Sequence, residues 1–146
     1  MAGAGFDRRC PPWSGDTIGV RSTGLILLDR NSSRLRRGFA QQVFTGDAEV
    51  NNFGQLNVAG RVGGALTGNN NAVIGVTGTV VGATDLNGNS SLVSSGLLVS
   101  SLTLNGNSVA TIQSGGNVTG STQVNDSGNL TVASGGKLSS TLTINA

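Results

Sequence analysis

The stretch Ile112-Gln113-Ser114-Gly115-Gly116-Asn117-Val118-Thr119-Gly120-Ser121-Thr122-Gln123-Val124-Asn125 decides the fold. Twenty residues later it is written again in like residue types: Val132-Ala133-Ser134-Gly135-Gly136-Lys137-Leu138-Ser139-Ser140-Thr141-Leu142-Thr143-Ile144-Asn145. Read backward, its last asparagine recurs at Asn51, Asn69, Asn87, Asn105, Asn125 and Asn145, in steps of 18, 18, 18, 20 and 20. A glycine keeps the same step at Gly60, Gly78, Gly96, Gly116 and Gly136, and two residues after it stand Val62, Val80, Leu98, Val118 and Leu138. A second aliphatic column is Leu56, Ile74, Leu92, Ile112 and Val132. Just before the asparagines run Val50, Gly68, Leu86, Leu104, Val124 and Ile144. A looser column alternates as Leu66, Thr84, Leu102, Thr122 and Leu142. The step changes from 18 to 20 in all of them together, as a two-residue insertion at a corner requires.

Within each copy the apolar residues alternate. Leu130 and Val132 flank Thr131, and Leu142 and Ile144 flank Thr143. Period two is the signature of strands. The runs are short and end at Ser-Gly-Gly or Asn-Gly, which supply turns with positive φ. Two or three short strands per 18–20 residues make one coil of a parallel β-helix, whose coils stack at the interstrand spacing. The expected fold is all-β: a solenoid of about five coils over residues 42–146, plus a partial coil carrying Phe44, Ala48 and Val50. The aliphatic columns become its interior. Asn69, Asn87, Asn105, Asn125 and Asn145 are expected to form a structural ladder, each amide bonded to the next.

Composition closes off several functions. The chain has 146 residues, one domain at most, with 24 glycines, no histidine, no tyrosine and one cysteine. Without histidine there is no Ser-His-Asp or Cys-His nucleophile and no His-containing zinc site. Cys10 has no partner for an intrachain disulfide. No apolar run approaches the roughly 20 residues of a membrane helix, so no membrane-spanning segment is expected. Residues 1–41 hold seven arginines against three aspartates, a net +4; residues 42–146 hold Arg61 and Lys137 against Asp47, Glu49, Asp85 and Asp126, a net −2. The first segment lacks the columns and is expected to be an irregular, disordered, Arg-rich arm. Its four arginines between Arg30 and Arg37 lack the interleaved aromatics of a nucleic-acid surface, so no nucleic-acid partner is expected. Its apolar run Thr23-Gly24-Leu25-Ile26-Leu27-Leu28 is too short for a signal peptide.

The last two copies resemble the repeats of bacterial autotransporter passengers of the diffuse-adherence adhesin type, with their pattern V-x-S-G-G-x-[AL]-x-x-T-x-[VI]-N. The resemblance covers residues 42–146 and is strongest from 105 onward; the first three copies lack Ser-Gly-Gly. It implies a right-handed β-helix, type V secretion through a C-terminal outer-membrane β-barrel, and a place at the cell surface or outside the cell. No such barrel lies in this chain, which breaks off mid-pattern at Asn145-Ala146. It is therefore expected to be an open-ended passenger fragment or a truncated gene product. Some relatives carry O-linked heptose on repeat hydroxyls; Ser114, Ser134, Ser139 and Thr141 are the analogous positions.

A carbohydrate-active β-helix enzyme would need clustered carboxylates. Asp47 and Glu49 are neighbours at i, i+2, but Asp85 and Asp126 fall in different phases of the repeat. No enzymatic activity, cofactor or metal is expected. The expected function is adhesion to host or bacterial cell-surface molecules, or self-association, through a long, repetitive polar surface. The alternative is a cytoplasmic self-polymerising β-helix of the bactofilin kind, suggested by Gly60-Arg61-Val62-Gly63-Gly64 and Gly78-Thr79-Val80-Val81-Gly82.

Overall fold

Alternating runs of two to four residues, broken by glycine, serine and asparagine, are too short for helix and suit a strand that turns a corner every few residues. The computed structural model describes residues 26–28, 37–40 and 43–145, with side chains from 45 onward. Among these, every regular element is a strand. A coil has three: Gln55–Val58, Arg61–Val62 and Leu66–Gly68 make one, and Val73–Val76, Thr79–Val80 and Thr84–Leu86 make the next. Each strand lies parallel to its counterpart one coil away, with Leu56 opposite Ile74, Val62 opposite Val80 and Leu66 opposite Thr84. Three parallel sheets of six, six and seven strands result. They enclose one interior and form a β-solenoid of about five turns, as the columns predict.

Pairing starts earlier than position 42. Ile26–Leu28 aligns with Ala48–Val50, and Arg37–Ala40 with Gln55–Val58. Two features hide these strands in the sequence. The step from Ile26 to Ala48 is 22, and Gly38 stands in the column that continues with Leu56 and Ile74. The remainder of the expected irregular arm, Cys10 included, lies outside the described residues.

The interior is aliphatic. All 19 buried apolar residues are Ala, Val, Leu or Ile, from Ala48 to Val124, and they form one cluster. A narrow coil leaves no room for rings, which accounts for the scarcity of aromatics. Where one column is short, a neighbour fills it: Ile74 Cδ1 would lie 2.9 Å from a Cβ added at Gly68. The corner glycines answer a second demand. In the 18-residue coils Thr77-Gly78 and Ser95-Gly96 alone connect first strand to second. Gly78 N–H donates to the Val58 carbonyl at 3.0 Å, and Gly96 N–H to that of Val76 at 3.1 Å. That close approach leaves no space for a side chain, because a Cβ on Gly96 would overlap the Gly78 carbonyl oxygen.

The two-residue insertion falls at this same corner. Ile112 still pairs 18 residues back with Ser94, whereas Asn117 pairs 20 back with Leu97. The corner grows to Gln113-Ser114-Gly115-Gly116, closed by a bond from the Gly116 amide to the Gln113 carbonyl at 2.9 Å. Gly115 takes the third position of that turn with φ of 87°, where a type II turn demands glycine.

Not every interior group is satisfied. The Thr84, Thr122 and Ser108 hydroxyls are buried without a hydrogen-bond partner. An orphaned buried hydroxyl costs about 1–3 kcal/mol, and an apolar group of the same shape removes that cost. Thr84→Val is therefore expected to raise stability by about 1 kcal/mol in denaturant unfolding, with the far-UV spectrum unchanged. A loss of stability would show that the hydroxyl is satisfied.

Candidate functional surface

The strands of the third sheet end at the asparagine column, which turns the chain back toward the first sheet. Each asparagine is half-buried, and its amide is held by the coil before it. Nδ2 of Asn69 donates to Oδ1 of Asn51 at 2.8 Å, Asn87 to Asn69 at 2.8 Å, and Asn105 to Asn87 at 2.9 Å. Asn125 donates to Asn105 at 2.7 Å and Asn145 to Asn125 at 2.8 Å. All five bonds point the same way, so the amide dipoles add and a donor is left over at the Asn51 end. Glu49 takes it: Oε1 accepts from Asn51 Nδ2 at 2.9 Å and from Asn69 Nδ2 at 3.3 Å. A carboxylate at the donor end of aligned amides plays the part that an acidic cap plays at a helix N-terminus. Sequence reasoning treats Glu49 as a solubilising surface charge. Its position two residues before Asn51, on the same side of an extended strand, is the signal that connects it to the ladder.

The other carboxylates are tied down separately. Asp47 Oδ1 accepts the Ala65 amide at 2.8 Å across a corner, and Asp126 Oδ2 accepts the Gly106 amide at 3.1 Å. Asp85 faces outward between Thr67 and Thr103. No three Asp, Glu, His or Cys side chains come together among the described residues.

Ser114, Ser134, Ser139 and Thr141 are all exposed. Ser114 and Ser134 occupy equivalent places in the two four-residue corners, one above the other. Ser139 and Thr141 lie at the next corner of the last coil, where the Ser139 hydroxyl donates to Asn117 Oδ1 at 2.7 Å. The four thus fall on two edges of the solenoid. The first sheet carries a shallow groove of about 390 Å³ where Gly75 leaves a dent between Asn57 and Val93, with Val73 and Gln113 beside it. Its lining residues are neutral. No helix is long and apolar enough to cross a membrane among the described residues. No protein-family model, curated protein or solved structure matches the chain.

The ladder geometry sets an order of mutational costs. Asn87→Ala leaves an acceptor on Asn69 and a donor on Asn105 unpaired and is expected to cost about 1–3 kcal/mol. Asn145→Ala, at the exposed end with one ladder bond, is expected to cost less than about 1 kcal/mol. Glu49→Gln keeps the acceptor but loses the charge, and a neutral bond is weaker than a charged one by about 1 kcal/mol. Chemical denaturation of the three variants checks the order; equal costs for Asn87 and Asn145 would contradict it.

Proposed function

We propose that this chain is a structural and adhesive segment of an exported autotransporter-type passenger. Its repetitive polar surface adheres to host or bacterial cell-surface molecules, or to sister molecules, at the cell surface or outside the cell, and it performs no catalysis. One observation carries this reading: the outward positions form long neutral tracks of serine, threonine, asparagine and valine. From residue 45 to residue 145 the ionisable side chains are Asp47, Glu49, Arg61, Asp85, Asp126 and Lys137, six in all. A surface that repeats at the interstrand spacing offers many weak, equivalent contacts, and multiplied contacts give avidity without a deep pocket. The repeat pattern Val132-x-Ser134-Gly135-Gly136 supports the passenger assignment. The exposed Ser114, Ser134, Ser139 and Thr141 are the hydroxyls that a surface glycosyltransferase would reach.

Beads coated with the full chain test the proposal. Retention on cultured epithelial or bacterial cells, or clumping of the beads, above that of albumin-coated beads is expected. Beads that neither adhere nor clump would overturn it. Concentration-dependent filaments of the free chain in electron micrographs, together with retention of the native protein inside the cell, would favour the bactofilin-like polymer instead.

A further inference from the structure

Among the described residues, every non-glycine residue with positive φ lies in the turn that follows a ladder asparagine: Asn52 (47°), Phe53 (67°), Asn70 (50°), Asn71 (69°) and Asp126 (56°). In the first of these turns the Gly54 amide donates to the Asn51 carbonyl at 2.8 Å. Positive φ at both central residues makes it a type I′ turn, whose central positions favour glycine, asparagine and aspartate. The chain follows that preference one coil on, with Asn71 at the equivalent place. Phe53 breaks it. Its side chain is also 57% exposed, so burial in the core does not offset the strained backbone. A bulky residue held in the left-handed region is an outlier of the kind that collects at functional sites.

The surroundings of Phe53 indicate the ligand. The register of the asparagine ladder places Asn71, Asn89 and Asn107 in line after it, one per coil, with Asn107 Nδ2 donating to Asn89 Oδ1 at 3.2 Å. At the interstrand spacing this row is about 14 Å long. On the adjoining face of the first sheet Val73 and Val109 are 45% and 41% exposed. None of these six side chains is ionisable. An aromatic face, a row of amides that both donate and accept, and an aliphatic shoulder complement a neutral sugar, which presents C–H faces and a rim of hydroxyls. We infer that the strip from Phe53 to Asn107 binds a neutral linear oligosaccharide, with Phe53 stacked on one ring and the amides bonded to hydroxyls of the following units. The inference rests on the adhesive reading for the place of that glycan on a cell surface.

Calorimetric titration of the full chain with cellohexaose and with chitohexaose tests the strip, alongside Phe53→Gly and the double variant Asn89→Ala/Asn107→Ala. Saturable binding of at least one probe is expected, weakened at least ten-fold in Phe53→Gly and in the double variant. The melting temperature of Phe53→Gly is expected to equal or exceed that of the parent, because glycine suits the turn. Failure of the parent to bind either probe, unchanged binding by Phe53→Gly, or a lowered melting temperature of that variant would overturn the inference. The bead assay separates this from the adhesive reading. Equal adhesion by parent and Phe53→Gly beads overturns the strip and leaves adhesion standing. Oligosaccharide binding by a parent that does not adhere overturns the adhesive reading and leaves the strip standing.

Discussion

Everything in this molecule depends on coils that stack in common register at one rise. A coil of 18 residues cannot bury its own aliphatic side chains; a neighbour in register buries them from above and below. The same register brings backbone against backbone at every corner, which is why Gly78 and Gly96 stand where a Cβ would meet the carbonyl of the preceding coil. It also brings like residue over like. The asparagine amides at the third corner then have one another as partners, at 2.7–2.9 Å, instead of water. One constraint thus selects aliphatic residues inside, glycine at the first corner and asparagine at the third.

Identical stacking also gives the ladder a direction. Five amide bonds oriented alike leave a donor at one end, and the chain places the Glu49 carboxylate there. The outside is left nearly neutral, and its chemistry changes slowly from coil to coil. Such a surface suits extended contacts better than a compact site, and both the adhesive reading and the strip headed by Phe53 use it in that way.

The stack was legible in the sequence because burial is periodic. The columns through Leu56, Val62, Leu66 and Asn69 are those that the coils align, and the step from 18 to 20 marks the corner that grows by Ser114 and Gly115. Three features escaped, each for a physical reason. Ile26–Leu28 and Arg37–Ala40 pair with the stack although Gly38 and a 22-residue step mask the column. Glu49 reads as a solvated charge until the ladder is seen to need an acceptor. Phe53 reads as core by its side chain, and its exposure follows from the turn that carries it, which hydrophobicity does not report. The neutral strip along Asn71, Asn89 and Asn107 was likewise hidden, because one asparagine column drew attention from the other.

Cross-linking by register tests the central claim most directly. In a Cys10→Ser background, Asp85→Cys with Thr103→Cys places two thiols on register partners in adjacent coils, at about the 4.8 Å interstrand spacing and within disulfide reach. Thr67→Cys with Thr103→Cys places them two coils apart, at about 9.6 Å and beyond that reach. Mild oxidation followed by mass spectrometry is predicted to close the first pair intramolecularly and leave the second open. Closure of the second pair, or of neither, would contradict a solenoid in this register.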